Sequence, residues 1–141
     1  MVLTISATSP GVIAVRSYSK PEIRIRSFTI CRARIMGAAF DNINANYVAI
    51  LSEDQNLVIC KIVDDLHLDK MNEEFKAEGT HLTDIKWNPY DSNEIVCYSQ
   101  REMFFVKRNK PGSGIVLSIP VPISDVCFIP QMLNCNPISH P

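Results

Sequence analysis

The sequence predicts an all-β chain built from about three copies of one four-stranded unit. Three observations carry this. Short apolar or alternating runs are separated by turns rich in Asn, Asp, Ser, Gly and Pro. An aromatic recurs at Phe40, Trp87 and Phe128, at spacings of 47 and 41 residues. A second strand recurs as Ile13-Ala14-Val15, Val48-Ala49-Ile50 and Ile95-Val96-Cys97, followed by Ser17, Ser52 and Ser99.

Residues 1–10 are small and apolar without a clear period, so the first strand is placed at Gly11–Arg16. Glu22–Phe28 alternates strictly, as a strand with two unlike faces does. Ile30–Met36 alternates again and stops at Gly37, completing an expected three-stranded antiparallel meander. Tyr47–Leu51 is almost wholly apolar, the mark of a strand covered on both faces. Leu57–Val63 returns after the Ser52–Asn56 turn.

Asp64–Glu78 is acidic and reads as an exposed excursion with room for a helical turn, Glu74–Ala77 pairing as an outer strand. Leu82–Trp87, Glu94–Tyr98, Met103–Lys107 and Ile115–Pro120 are the next four strands. Pro111–Gly114 is a hairpin loop, since it lacks the Lys-Ser/Thr of a phosphate loop. Ile123–Pro130 repeats the Leu82–Pro89 pattern.

Four short strands at a period of 40–45 residues are the pattern of a WD-repeat-type β-propeller. One four-stranded sheet cannot bury both faces alone; stacking on neighbours supplies the cover. The expected units are 11–37, 38–78 and 79–121, with a further blade starting at 122–131 and a tail at 132–141. The repeats are degenerate: Cys60 and Lys107 stand where a Trp-Asp pair would begin, and Gly-His survives only as Gly79-Thr80-His81. A β-sandwich with coincidental spacing is the competing architecture. About three blades cannot close a ring, so the expectation is a propeller fragment belonging to a longer protein.

Composition narrows the function classes. With 46% hydrophobic and 21% charged residues the chain is globular rather than disordered. A net charge of −1 predicts no bulk attraction to nucleic acid or acidic membranes. The charge is uneven: residues 1–37 hold six basic side chains against one acidic, and residues 38–80 nine acidic against three basic. Such asymmetry marks either a binding face or an intramolecular match. No basic leader precedes an apolar run, and Gly114–Pro130 is interrupted by prolines and Asp125, so neither a signal peptide nor a membrane span is expected. The five cysteines include no Cys-x-x-Cys, and a reducing compartment is the default.

One stretch is more specific than the repeat. Ala49–Ile59 includes Ser52-Glu53-Asp54-Gln55-Asn56-Leu57 and precedes the acidic insert; Glu78-Gly79-Thr80 and Ile85-Lys86-Trp87-Asn88-Pro89 follow. This order resembles the WD-repeat region of the enhancer of mRNA-decapping protein 4 family over Glu22–Pro89. Gln55 stands where that family tends to have glycine, and Cys60 where it has tryptophan. The resemblance implies a non-enzymatic scaffold of the cytoplasm and its processing bodies, with the decapping enzyme and its activators as protein partners in mRNA decay. The alternatives are a WD-type adaptor of another intracellular multiprotein complex, or RNA binding through an arginine face.

Candidate sites follow. Arg24 and Arg26 alternate against Ile23 and Ile25, and Arg32 and Arg34 against Cys31, Ala33 and Ile35. A hairpin of these strands would gather four guanidinium groups suited to phosphate or carboxylate partners, or paired with the acidic segment. Aromatic interleaving is sparse, so a single-strand stacking platform is not supported. His81, Asp84, Ser99 and Trp87 are the candidates for the internal hydrogen-bond network of a WD blade, a structural role. No nucleophile elbow or oxyanion loop accompanies them, and no catalytic, cofactor or metal site is predicted. Asp64, Asp65 and Asp69 are a solvated face, and Cys60, Cys97 and Cys127 core.

Overall fold

The computed structural model describes residues 2–19, 22–63, 67–110 and 114–130. Eleven strands form three antiparallel sheets and no helix appears among these residues. The first sheet contains β1 (Val2–Ser9), β2 (Val12–Ser19) and β3 (Glu22–Thr29) in that order. The middle sheet contains β4 (Ile35–Phe40), β5 (Tyr47–Ser52), β6 (Asn56–Val63) and β7 (His67–Lys76). The third contains β8 (Asp84–Trp87), β9 (Glu94–Tyr98), β10 (Glu102–Lys107) and β11 (Ile115–Ser118).

The middle sheet is buried on both faces. Val48, Ile50, Val58, Cys60 and Ile62 pack with Ile13 and Val15 of the first sheet. The alternate residues Ala49, Leu51, Leu57 and Ile59 pack with Ile95, Cys97, Phe104 and Val106 of the third. The all-apolar run of β5 is therefore explained by cover on both sides. Burying each such aliphatic chain contributes about 1.5–3 kcal/mol. The opening strands lie together, β1 against β4 and β4 against β8. Gly37 permits the latter approach, since a Cβ there would sit 3.0 Å from Ile85 Cγ2. This radial stacking of two four-stranded sheets and one with three strands among the described residues is a partial propeller of about three blades.

The 47-residue spacing is a structural repeat in the second and third sheets. The Asp41 N–H donates to the Tyr47 carbonyl (3.0 Å) as Asn88 N–H does to Glu94 (2.9 Å). Asp41 Oδ1 accepts from Ile43 N–H and Asn88 Oδ1 from Tyr90 N–H, both at 2.8 Å. Ile62 N–H reaches Asn46 as Arg108 N–H reaches Asn93. Short Asx side chains at these positions stabilise the turns locally.

Several sequence expectations are corrected. The first strand is β1 at Val2–Ser9, ahead of the expected start at Gly11, and its pairing with β2 rather than any apolar period defines it. Residues 30–34 form no strand: the chain there crosses to the next sheet, held by Ile30 N–H on the Gly11 carbonyl (2.7 Å). Gly11 sits at φ 72°, and a Cβ there would fall 1.9 Å from the Cys31 carbonyl oxygen. His67–Lys76 is a ten-residue strand with no helical turn, because pairing with β6 satisfies its backbone along nearly its whole length. Residues 123–130 form no strand, and Cys127 is exposed rather than core. Asp64, Asp65 and most of the Pro111–Gly114 loop lie outside the described residues.

Candidate interaction surface

In an antiparallel pair, directly opposed residues share a face. In the first sheet, Tyr18 opposes Ile23 and Arg16 opposes Ile25. This face points away from the middle sheet and leaves Tyr18, Ile23 and Ile25 exposed by 41%, 65% and 57%. The other face carries Val15 opposite Arg26, Ser17 opposite Arg24 and Ile13 opposite Phe28. Ile13, Val15 and Phe28 are packed on the middle sheet, so Arg24 and Arg26 leave the same face beyond its apolar part. The Arg26 guanidinium lies 5.8 Å from the Phe28 ring centroid. At the opposite end of the stack, Phe105, Ile115 and Leu117 of the third sheet are exposed.

The four predicted arginines are not gathered. Arg24 and Arg26 share a face of β3, as their alternation requires, but β3 pairs with β2 and not with residues 30–36. Arg32 and Arg34 lie in the connection to β4 and are exposed. Arg34 is 3.8 Å from Glu53, an open ion pair worth little but of the sign the charge asymmetry foretold.

The predicted His81 network is not formed among the described residues. His81 is exposed, and its backbone N–H meets Glu102 Oε1 at 3.1 Å. Trp87 is buried at the interface of the middle and third sheets, with Nε1 donating to the Ser92 carbonyl (3.0 Å). Ser99 Oγ is the acceptor for Arg101 N–H, at 3.4 Å. Phe40 packs between the first and middle sheets. Phe128 is half-buried, on the irregular segment after β11.

A buried polar network that no local sequence pattern signals joins the middle and third sheets. Gln55 is buried in the β5–β6 turn at φ 64°. Its Oε1 accepts from Thr80 Oγ1 (2.9 Å) and from Leu82 N–H (2.6 Å), and its Nε2 donates to the Leu82 carbonyl (3.3 Å). A positive φ is the conformation that glycine adopts without steric cost. Here a glutamine accepts the strain and uses its side chain to bind the crossing segment.

A second tie is ionic. Arg108 donates Nε and Nη2 to the Glu73 carboxylate at 2.7 and 2.8 Å, joining the end of β10 to β7. Its guanidinium lies 4.9 Å from the Tyr47 ring and 5.4 Å from Trp87. The Glu73 hydrogen bond is the main cause raising its pKa above the ordinary arginine value. Both groups are satisfied, so this is a strut rather than a ligand site.

Among the described residues, no group of three or more His, Cys, Asp or Glu is placed to hold a metal ion. A cleft between the first and middle sheets, lined by Cys31, Ser52, Asn56 and Lys70 among others, encloses about 60 Å³. That is room for a water or two, far below the several hundred Å³ of a cofactor pocket. No helix of the described residues is long and apolar enough to cross a membrane.

The comparisons with known proteins bear on the fold. The WD40 domain of Toxoplasma gondii coronin superposes with a TM-score of 0.64 at 13% identity, covering 82% of this chain and 32% of that one. The chain has the fold of a partial WD-repeat propeller. A functionally unknown protein from Desulfotomaculum acetoxidans DSM 771 superposes with a TM-score of 0.58 at 18% identity, over 83% of this chain and 38% of that one. The chain thus spans about a third of the length of these solved structures. No family model matches it, and no curated protein matches it.

Proposed function

We propose that this chain is part of a non-enzymatic protein-interaction scaffold, a set of propeller blades that works within a longer ring. The blades are the three sheets β1–β3, β4–β7 and β8–β11. What supports the reading is the stack itself: a rigid middle sheet buried on both sides, flanked by end sheets whose outer faces carry exposed apolar side chains. Stacked repeats of this kind offer extended rigid surfaces for other proteins.

The finer proposal is the propeller of an mRNA-decapping enhancer, assembling the decapping enzyme and its activators in the cytoplasm and its processing bodies. It rests on the Glu53-Asp54-Gln55-Asn56-Leu57 turn and the Glu78–Pro89 wording. These two segments are bound to each other here through Gln55, Thr80 and Leu82. The decisive experiment is reconstitution with purified decapping enzyme and activators. Direct, saturable binding of either is the expected result. No binding to either, with stable incorporation into a different multiprotein complex, would replace it with the general adaptor reading.

A further inference from the structure

The β4–β5 and β8–β9 turns stand at the same end of the stack, and Arg108 ties them there. Its guanidinium lies 4.9 Å from the ring of Tyr47, which follows the first turn, and 5.4 Å from the ring of Trp87, which precedes the second. Its backbone N–H reaches the Asn93 carbonyl of the second turn at 2.8 Å. Each turn carries one large apolar side chain at the same position. Ile43 N–H is held on Asp41 Oδ1 and Tyr90 N–H on Asn88 Oδ1, both at 2.8 Å. Ile43 is 58% exposed and Tyr90 53%. A lone exposed hydrophobe needs no explanation. Two at one repeated position, each on a turn fixed by its own Asx side chain, make a built surface.

The exposed residues of the two turns are 42–46 and Tyr90, and none of them is charged. Asp41 is buried, and Asp91 is half-buried with Oδ1 accepting from Asn93 N–H (2.9 Å). The Arg108 charge is engaged by the Glu73 carboxylate, and Lys61 is half-buried with Nζ 5.5 Å from the Tyr47 ring. Interface centres have this make-up: few charges, an aromatic anchor and a polar rim, here of asparagines. Further blades would stack on the faces of the sheets, whereas these turns project from their ends.

We propose that Ile43 and Tyr90 are paired anchors for an uncharged segment of a partner protein. That segment lays apolar side chains against the two anchors and bonds its backbone to the asparagines around them. The surface selects an uncharged partner, because a charged one would lose hydration without meeting an opposite charge on the exposed turn residues. Apolar burial carries the binding, so added sodium chloride does not weaken it.

This inference rests on the scaffold reading above and names the surface it would use. The test is an NMR titration of the full chain with a short peptide of serine, asparagine and glycine carrying two leucines. Saturable shifts at 42–46 and 89–93 are expected, alike at low and high sodium chloride. The same peptide with serine for both leucines should not move them. Ile43→Ser with Tyr90→Ser should weaken the leucine peptide about tenfold, and Ile43→Leu with Tyr90→Phe should retain it. Circular dichroism of both variants should be unchanged, since both side chains are exposed and the turns are held by Asp41 and Asn88. Absence of saturable shifts, shifts centred elsewhere, or equal binding of the serine peptide would overturn the proposal. Salt-sensitive shifts of these turns by single-stranded RNA, stronger than those by the leucine peptide, would also overturn it. Decapping-factor binding that survives the double serine substitution would leave the scaffold reading standing and remove this surface from it.

Discussion

Gln55 and Leu82 are joined through both backbone groups of Leu82: its N–H meets Gln55 Oε1 at 2.6 Å and its carbonyl meets Gln55 Nε2 at 3.3 Å. The residues are 27 positions apart, and the contact fastens the start of the third sheet to a turn of the middle one. Two terms oppose each other at Gln55. The left-handed backbone costs about 1–2 kcal/mol in a non-glycine residue. Losing the side chain strands buried groups at about 1–3 kcal/mol each. Gln55→Ala keeps the strain and loses the bonds, so a loss of about 2–4 kcal/mol is expected. Gln55→Gly relieves the strain and should fall between wild type and Gln55→Ala. Urea denaturation orders the three proteins; a Gln55→Gly more stable than wild type would show that strain outweighs the network.

The Arg108–Glu73 fork spans two sheets with its side chains 14% and 26% exposed. Removing one partner of a largely desolvated pair leaves the other uncompensated. Discounted for that residual exposure, Arg108→Ala should cost about 2–3 kcal/mol. Arg108→Lys keeps the charge but not the fork or the stacking on Tyr47 and Trp87, and should cost about 1 kcal/mol. Thermal melts of the two variants check the order.

Tyr98 and Asp125 define a pH signature. Burial pushes the Tyr98 hydroxyl up to about 12, assisted by its hydrogen bond to Asp125 and the charges of Asp84 and Asp125. A folded value above the unfolded one gives stability that is complete below pH about 10 and lost as pH rises through about 12. Tyr98→Phe should therefore show a shallower fall in Tm across that window. The exposed Asp125 carboxyl is held below its ordinary value, first by Lys86 and then by Val126 N–H and the Tyr98 hydroxyl. Its contribution is present above its unfolded value and is lost as pH falls through the folded one. Asp125→Asn should accordingly flatten the acid limb of the same melting series.

The thiols separate by burial. Burial alone pushes Cys97 up to about 12, and it is the main cause taking Cys60 to about 11; both are fully covered. The thiolate is the reactive form, so both should resist alkylation at pH 8 in the folded chain, while the exposed Cys127 reacts. Peptide mass mapping after a timed iodoacetamide pulse distinguishes them.

The repeat was legible because blades repeat their turns as well as their strands. Phe40 and Trp87 sit at matching strand ends because Asp41 and Asn88 close matching turns. Phe128 continues the spacing, but no following strand is present among the described residues to pair its segment into a sheet. The 30–36 run alternates without pairing to β3 for a related reason. Alternation identifies an extended chain, whereas pairing depends on what lies beside it, and Ile35 belongs with Leu51 and Ser52 rather than with β3. The arginine cluster fell with that hairpin. Gln55 was visible as an odd residue in a turn, yet its reach to Leu82 is a tertiary contact that no local pattern encodes. The exposure of Ile23 and Ile25 was equally hidden, since alternation distinguishes two faces without saying which is covered.

Three sheets stack with the middle one covered on both faces and the outer two on one. Native-state hydrogen exchange resolved by residue tests this stacking most directly. β5 and β6 should exchange slowest, only through global unfolding, and β3 and β11 fastest among the strands. Equal protection across the three sheets, or slower exchange in β3 than in β6, would contradict it.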